Sequence, residues 1–458
     1  MVSVLDSAYL GDGFGTAAMR AVFSDRARLD GWLQAEAALA RAQAGLGMIP
    51  ADAAQAIARA ARPEALDLAA MKADYDVSGI AIVPLVKHFG ALLEPEHRRW
   101  LHYGATTQDI IDTGCVLQMR AGLDLIQGDL DALCRALAGL ARAHRDTVMA
   151  GRSFQQQAVP VTFGYKAAVW LDEALRHRAR LVALRPRLLV GQLGGAVGTL
   201  ATMGDQGLAV RSAMMRDLGL GEPAITWHVA RDRWAELVQW QALLGATLGK
   251  IAGEVVLLMR SEVGEVFEGA VPGRGGSSTM PQKRNPVACP QVIAIARRLR
   301  DLPALQLDAM MQEHERGAGA MPTEWLVVPD GFVLLSGALA QMRGVLEGLE
   351  VDAARMAANL AEGGGLIMAE AVMMGLAPAM GRGAAKEAVE RAAKAALARG
   401  IPLRAALLAD AALAPHLDPA RLDRLLDPAG YTGSAGAMVD AVLARTVAEG
   451  LHVAETGA

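Results

Sequence analysis

The amino-acid sequence predicts an all-α protein built around a bundle of long helices. Hydrophobic residues make up 53% of the chain but aromatic residues only 4%, and Ala, Leu, Val and Met supply most of the apolar side chains. Ala, Leu and Met have high helix propensity, whereas β-rich chains depend on aromatic and β-branched residues. Along residues 232–268, apolar residues recur at three-, four- or seven-residue steps, at Leu237, Leu244, Leu248, Ile251, Val255 and Leu258. This spacing predicts one long helix across that range, about 50 Å long at about 1.5 Å per residue.

The same periodicity, and the glycine-rich breaks in it, predict the domain organisation. Further long helices are expected over residues 111–144, 161–188, 286–311 and 332–347. A chain of 458 residues exceeds what one hydrophobic core usually supports. We therefore expect an N-terminal helical domain over residues 1–110, a central long-helix bundle over 111–350 and a small helical C-terminal domain over 351–458.

Composition argues against several classes of partner. The 45 basic and 49 acidic residues are interspersed and give a net charge of −4, so bulk charge indicates neither a nucleic-acid nor a membrane partner. The N-terminus lacks the pattern of a signal peptide, and no uninterrupted apolar stretch reaches the roughly 18 residues of a membrane-spanning helix. The three widely spaced cysteines, Cys115, Cys134 and Cys289, are expected to be buried in a cytoplasmic protein. Without a phosphate loop, dinucleotide fingerprint or metal-ligand cluster, we expect no cofactor and no metal.

The segment with the most chemistry is GSSTMPQKRNP at residues 276–286. Its glycine permits backbone conformations that are closed to other residues. Its serines, lysine and asparagine supply a proton carrier, a cation and an amide, and Pro286 suits the first turn of a new helix. Composition alone supports a flexible loop and a functional loop about equally.

This segment resembles the signature loop of the fumarase/aspartase superfamily, whose pattern is close to G-S-S-x-M-P-x-K-x-N-P. The resemblance implies that Ser277 is the base that removes the proton β to the leaving group, with Ser278 beside it. It also implies that Lys283 and Asn285 bind the substrate carboxylate next to that carbon. A serine needs nearby cations and amides to stabilise its alkoxide, and this loop contains both. We further expect the loop over residues 272–282 to act as a lid.

Two other segments resemble shared regions of the superfamily. HYGATTQD at residues 102–109 resembles the first, in which Thr106 and Thr107 would bind substrate carboxylate. GRSFQQQ at residues 151–157 resembles the second, with Arg152 and Gln156 as substrate-binding candidates, although Arg152 could equally pair within the bundle. The resemblance implies a homotetramer with a twenty-helix core, in which each active site combines residues of three subunits.

Within the superfamily, the detail resembles the bacterial 3-carboxy-cis,cis-muconate cycloisomerases, and adenylosuccinate lyases are more distant. The matching segments include GIAIVPLVK at 79–87 and QEHERG at 312–317. The resemblance implies that a carboxylate adds to a carboxylated muconate to give a lactone, with Ser277 handling the proton. The expected substrate is thus a small dicarboxylate or tricarboxylate.

Several residues depart from the family pattern. Fumarases and adenylosuccinate lyases have a histidine at the position of Phe154, and the cycloisomerases often have one at Gln157, Gln282 and Thr323. A phenyl ring cannot carry a proton, so cleavage that requires protonation of an amine is disfavoured. A leaving group that is stable as an anion fits better.

An alternative to the cycloisomerase is a lyase that releases fumarate from a substituted succinate, of the nitrosuccinate or adenylosuccinate type. A non-catalytic protein on the same fold is disfavoured, because the set of Ser277, Lys283 and Asn285 is complete.

Three residues outside the loop are further candidates. His102 and His228 could act as acids or as orienting groups, although a single histidine is more often structural. Arg316 is expected to bind a substrate carboxylate, because a guanidinium can hold a carboxylate through two hydrogen bonds.

Overall fold

The computed structural model describes residues 3–269, 275–276 and 279–451 and confirms the all-α fold class. Within these residues, the N-terminal helices are α1 Ala17–Val22, α2 Asp25–Gly45, α3 Ala51–Ala60, α4 Leu68–Ser78, α5 Ile82–Gly90 and α6 Pro95–Arg98. The middle of the chain contains α7 Thr107–Ala143, α8 Phe163–Leu188, α9 Gly207–Leu218, α10 Asp232–Leu258, α11 Ala288–Asp308 and α12 Ala320–Glu347. The C-terminal helices are α13 Ala353–Ala361, α14 Ala369–Met380, α15 Arg382–Arg399, α16 Leu403–Ala409, α17 Pro419–Leu426 and α18 Ala435–Ala448. The described residues also form four short strands, β1 Val148–Ser153, β2 Gln156–Thr162, β3 Val266–Phe267 and β4 Glu350–Val351.

The chain divides into two compact units. The first consists of Met1–Asp129, His177–Gly249 and Ala294–Ala340, and the second of Leu130–Arg176, Lys250–Ile293 and Gln341–Ala458. The long helices α7, α8, α10, α11 and α12 each contribute residues to both units. The division into three domains at residues 110 and 350 stays a prediction.

In the first unit, α2 crosses α7 at a pair of glycines. Ser24 caps the start of α2 by accepting a hydrogen bond from the Ala27 N–H. A Cβ atom built on Gly31 would lie 3.0 Å from the carbonyl oxygen of Gly114, and one on Gly114 would lie 2.5 Å from Cδ1 of Trp32. Only glycine fits at both positions, and the close crossing brings α2 against the N-terminal part of α7.

A buried ion network joins three helices of the first unit. Arg231, just before α10, donates to both carboxylate oxygens of Asp112 on α7, at 2.8 and 3.0 Å. It also donates to both oxygens of Glu324 on α12, at 2.9 and 2.6 Å. The guanidinium carbon lies 4.0 Å from the ring centre of Trp234 and 5.0 Å from that of Trp227. All three charged side chains are buried, and only mutual pairing makes that burial tolerable.

The second unit contains a β-hairpin and a helical core. Strands β1 and β2 pair antiparallel, and Ser153 pairs with Gln156 across a two-residue turn of Phe154 and Gln155. The hairpin lies where the sequence resembles the second shared region, and composition did not predict it. Towards the C-terminus, α14, α15, α16 and α17 bury a common apolar core that includes Leu376, Val389 and Leu407.

The long helix predicted over residues 232–268 is shorter than expected. Helix α10 ends at Leu258, and β3 follows at Val266–Phe267 and pairs with β4. The expected helix over residues 332–347 is longer, because α12 begins at Ala320 and continues through Pro329. Of the lid predicted over residues 272–282, residues 272–274 and both Ser277 and Ser278 lie outside the described residues.

Among the described residues, two helices have the length and mean hydropathy of membrane spans, although polar residues interrupt their apolar stretches. They are Asp232–Leu258 and Met321–Glu347. In their most apolar windows, 50% and 67% of the residues are already buried inside the protein. Part of their apolar character therefore serves packing within the chain.

The ion network predicts a large cost for losing its cation. Arg231→Met keeps much of the side-chain volume but leaves Asp112 and Glu324 buried without a counter-ion. We expect the free energy of unfolding to fall by about 3–5 kcal/mol, measured by urea denaturation. The control is Arg187→Met, because Arg187 pairs with Glu236 at the surface and its loss should leave the unfolding free energy nearly unchanged. Equal losses in the two variants would contradict a special role for the buried network.

Candidate active site

The first unit brings together Thr106, Thr107 and Arg316, three of the predicted substrate-binding residues. Thr106 and Thr107 stand at the start of α7, and the Arg316 guanidinium donates to their hydroxyl oxygens at 2.7 and 3.1 Å. Its Nε also donates to Oε1 of Gln108 at 3.3 Å. All three residues are partly exposed. The arrangement offers a planar cation and two hydroxyl groups to a carboxylate.

One buried carboxylate, that of Asp109, fixes this end of α7. Its Oδ2 accepts the Thr106 N–H at 3.0 Å and the Gly195 N–H at 2.9 Å. Its Oδ1 accepts the Gly194 N–H at 2.8 Å and contacts Nε2 of His228 at 2.8 Å. A carboxylate at the third position of a helix that accepts from the N-cap N–H is half of a capping box. Asp109 therefore links the N-terminus of α7, the glycine-rich loop and a histidine.

His228 is a buried part of this cluster. Its Nε2 faces Asp109, while its Nδ1 is buried and has no hydrogen-bond partner among the described residues. Its carbonyl oxygen accepts from the Gln108 amide at 2.9 Å. The structure thus places His228 next to the predicted carboxylate site, where its catalytic role stays a prediction.

His102 lies on the turn that precedes Thr106 and is paired with a buried acid. Its Nδ1 lies 2.6 Å from Oε1 of Glu36, a residue of α2 that is 1% exposed. Burial opposes the charged imidazolium, but the charge and hydrogen bond of Glu36, aided by the charge of Asp109, raise the pKa of His102 above its ordinary value. His102 is therefore biased towards its protonated form.

In the second unit, Glu268 anchors the end of the signature loop. Its carboxylate accepts the backbone N–H groups of Val287, Ala288 and Cys289 at 2.9–3.1 Å, at the N-terminus of α11. Burial would raise the pKa of Glu268, but these three N–H groups outweigh it and hold the pKa below its ordinary value. A residue before the loop is thereby fixed to the helix that follows it.

The loop residues that the structure describes are partly accessible. The Asn285 N–H donates to the Gly275 carbonyl oxygen at 2.9 Å, which closes the base of the loop. Lys283 is exposed and Asn285 is half-buried, so both can meet a ligand. The roles of Ser277 and Ser278 stay predictions, since both lie outside the described residues.

Arg152 is held by a buried carboxylate. It donates to both oxygens of Glu265, at 2.8 and 2.7 Å, and Asn359 donates to the same carboxylate at 2.8 Å. This geometry favours the structural alternative for Arg152 over substrate binding. Gln156 is exposed on β2, beside the hairpin turn.

Sequence reasoning missed Glu36 as a residue of the site. Glu36 occupies a core position in α2, in the series Leu29, Trp32, Glu36, Leu39 and Gln43, which follows three- and four-residue steps. An acid in an apolar helical stripe is rarely buried without a partner. That signal was present in the sequence, but nothing local indicated that the partner was His102. Within the described ranges, no group of three or more His, Cys, Asp or Glu side chains is placed to hold a metal ion.

Comparisons with known proteins agree with this fold and show the family. The chain matches the family model described as Lyase over residues 14–300 and that described as Adenylosuccinate lyase C-terminus over residues 365–442. It is 48% identical over 442 residues to 3-carboxy-cis,cis-muconate cycloisomerase of Pseudomonas aeruginosa, covering 96% of each chain. The structure of 3-carboxy-cis,cis-muconate lactonizing enzyme from Pseudomonas putida is 45% identical and matches with a TM-score of 0.92, covering 95% of this chain and 98% of that one. Fumarate lyase from Mesorhizobium sp. BNC1 is also 45% identical, with a TM-score of 0.89 over 94% of this chain and 98% of its own.

The fold and the site together define an enzyme of the lyase class, all-α and built on long helices. The chain belongs to the fumarase/aspartase superfamily, and in it to the family that contains the 3-carboxy-cis,cis-muconate cycloisomerases.

The hydrogen bonds of Asp109 yield a prediction about the site's stability. In Asp109→Asn, an amide NH2 group would face backbone N–H groups that need an acceptor, and the negative charge would be lost. We expect the free energy of unfolding to fall by about 3 kcal/mol or more, since hydrogen bonds to charged groups are each worth about 1.5–3 kcal/mol. Asp146→Asn, at an exposed position, is the matched control and should leave thermal unfolding nearly unchanged. An Asp109→Asn protein as stable as this control would show that the four hydrogen bonds do not organise the site.

Proposed function

We propose that this enzyme catalyses the cycloisomerisation of a carboxylated muconate, the intramolecular addition of a carboxylate across a double bond to give a lactone. The observation that carries the proposal is the state of Arg316. Its hydrogen-bond acceptors are the neutral oxygens of Thr106, Thr107 and Gln108, and no carboxylate among the described residues pairs with it. A cation in this state is prepared to bind a carboxylate of the substrate.

Two other arginines provide the contrast. Arg231 is neutralised by Asp112 and Glu324, and Arg152 by Glu265. Neither has charge left for a ligand. Of these three arginines, Arg316 is therefore the one suited to substrate binding.

The proposed chemistry uses residues whose side chains can bind a carboxylate. As the carboxylate oxygen of the substrate bonds to one carbon of the double bond, the electron pair of that bond moves onto the neighbouring carbon and its carboxylate, which becomes an enediolate. Arg316, Thr106 and Thr107, with Lys283 and Asn285, would stabilise that negative charge. Ser277 would then donate its hydroxyl proton to the carbon and regain one from solvent; in the reverse direction its alkoxide removes the same proton.

A second candidate is a lyase that expels a stable anion from a substituted succinate and releases fumarate. The 45% identity to a fumarate lyase supports this second candidate. Both reactions use the same enediolate and differ in the group that leaves. The exposed phenyl ring of Phe154, at the tip of the hairpin, offers no proton to an amine.

A direct assay separates the two. The enzyme is incubated with 3-carboxy-cis,cis-muconate, and separately with nitrosuccinate and adenylosuccinate. We expect loss of the diene absorbance and a lactone in the NMR spectrum, and no fumarate from the succinates. Fumarate release without lactone formation would replace the first proposal by the second.

The resemblance to the signature loop predicts unequal roles for the two loop serines. In Ser277→Ala the proton carrier is lost, and we expect kcat to fall by about 10²–10⁴-fold, the usual contribution of general acid–base catalysis. KM should change little, because Arg316, Lys283 and Asn285 still bind the carboxylate. Ser278→Ala is the neighbouring control and should be much milder. Equal losses in the two variants would place the base elsewhere, with His228 as the next candidate.

The proposed assembly is a soluble, cytoplasmic homotetramer with a twenty-helix core, without a nucleic-acid or membrane partner and without a metal or cofactor. Thr107 and Ser277 would then come from different subunits of one site. Mixing inactive Thr107→Ala and Ser277→Ala proteins, after mild unfolding and reassembly, should restore part of the activity, since some sites would receive both intact residues. A fully active monomer in sedimentation, or mixtures that never regain activity, would count against shared sites.

A further inference from the structure

A buried acid is aimed at the turn that holds His102. Glu36 stands between Trp32 and Leu39 on the apolar face of α2 and is 1% exposed. Burying a carboxylate at this position costs free energy unless a partner replaces the lost interactions with water. Its partner is Nδ1 of His102, at 2.6 Å, while its second oxygen, Oε2, is buried without a hydrogen-bond partner in the described part of the chain.

A second polar residue of α2 supports the same turn. Gln43, seven residues after Glu36 and on the same helical face, donates from Nε2 to the carbonyl oxygen of Tyr103 at 2.7 Å. The turn needs support because His102 has a φ of +59°, a left-handed conformation that is unfavourable for a residue other than glycine. Helix α2 therefore holds both the backbone and the side chain of this turn.

The other nitrogen of His102 is available. Among the described residues none forms a hydrogen bond to Nε2, and the side chain is 18% exposed. The ring belongs to the turn that leads directly to Thr106 and Thr107, whose hydroxyl oxygens meet Arg316. The carboxylates that act on the ring are Glu36 from α2 and Asp109 from α7. Both favour a proton on Nε2.

We propose that Glu36 is a positioning residue, which orients the His102 ring and keeps it an imidazolium whose Nε2–H binds a substrate carboxylate beside Thr106, Thr107 and Arg316. The inference rests on the proposed function for the identity of the substrate, but not for the link between Glu36 and His102. It assigns to His102 a positive charge that stabilises the enediolate.

The test replaces Glu36 by glutamine, which is nearly isosteric but uncharged. The kcat/KM of the wild type should fall as the pH rises through the raised pKa of His102 and the imidazolium is lost. In Glu36→Gln this fall should move to lower pH. At pH values above this fall, the KM of Glu36→Gln should be about tenfold higher than that of the wild type, as expected for loss of a charge-assisted hydrogen bond. The change in kcat should be smaller. An unshifted pH profile would overturn the proposal.

Two controls separate positioning from simple stability. Gln43→Leu removes the other bond from α2 to the turn but no charge, so it should lower the melting temperature without moving the pH profile. If Glu36→Gln fails to fold, His102→Gln should abolish the high-pH fall and raise KM. A His102→Gln enzyme with unchanged KM and pH profile would overturn the proposal.

A readout without turnover distinguishes this inference from the proposed function. Diethylpyrocarbonate modifies neutral imidazole, so the pH dependence of His102 modification, followed by peptide mass spectrometry, reports its protonation directly. We expect modification of His102 to begin at lower pH in Glu36→Gln than in the wild type, and citrate to protect His102 in the wild type but less in the variant. If these hold while no muconate is turned over, only the proposed function fails. Identical modification profiles, or no protection by citrate, would refute the role of Glu36.

Discussion

The carboxylate of Asp109 is the constraint on which the site depends. Its two oxygens meet three backbone N–H groups and one imidazole, from the N-cap of α7, the loop at Gly194 and Gly195, and His228. A carboxylate can stay buried only if its oxygens accept hydrogen bonds from the surrounding protein. The hydrogen bonds of Asp109 therefore hold the three chain segments in one arrangement. Thr106 and Thr107 stand at the end of the helix that Asp109 caps, and their hydroxyl groups are thereby fixed in front of Arg316.

The distribution of charge separates architecture from function. Asp112 and Glu324 neutralise Arg231, and Glu265 neutralises Arg152, and each of these carboxylates is buried. Such pairs specify how helices and loops meet, and their net contribution to stability is small beside the cost of breaking them. Arg316 differs because its acceptors are neutral, and the cation is left for a substrate.

The two histidines of the site illustrate how environment assigns roles to one residue type. Each has one nitrogen on a buried carboxylate, but Nδ1 of His228 is enclosed, whereas the ring of His102 is partly exposed. A partner carboxylate raises the pKa of His102 in spite of burial, and so a charged donor can stand on the turn that precedes Thr106. The difference depends on packing around the rings, which a list of histidines cannot reveal.

The sequence by itself determined the helical class and the motifs of the site. Propensity and apolar periodicity are local properties, and they located the long helices with errors mainly at their ends. The residues of the first shared motif and Arg316 could also be identified from the sequence, because each motif is contiguous or has a specific residue pattern.

Only the tertiary structure decided which polar groups meet. Glu36 and His102 are 66 residues apart, Asp109 and His228 are 119 apart, and Arg152 and Glu265 are 113 apart. Pairing at such separations depends on how helices cross, as at Gly31 and Gly114, and helical periodicity carries no information about the crossing partner.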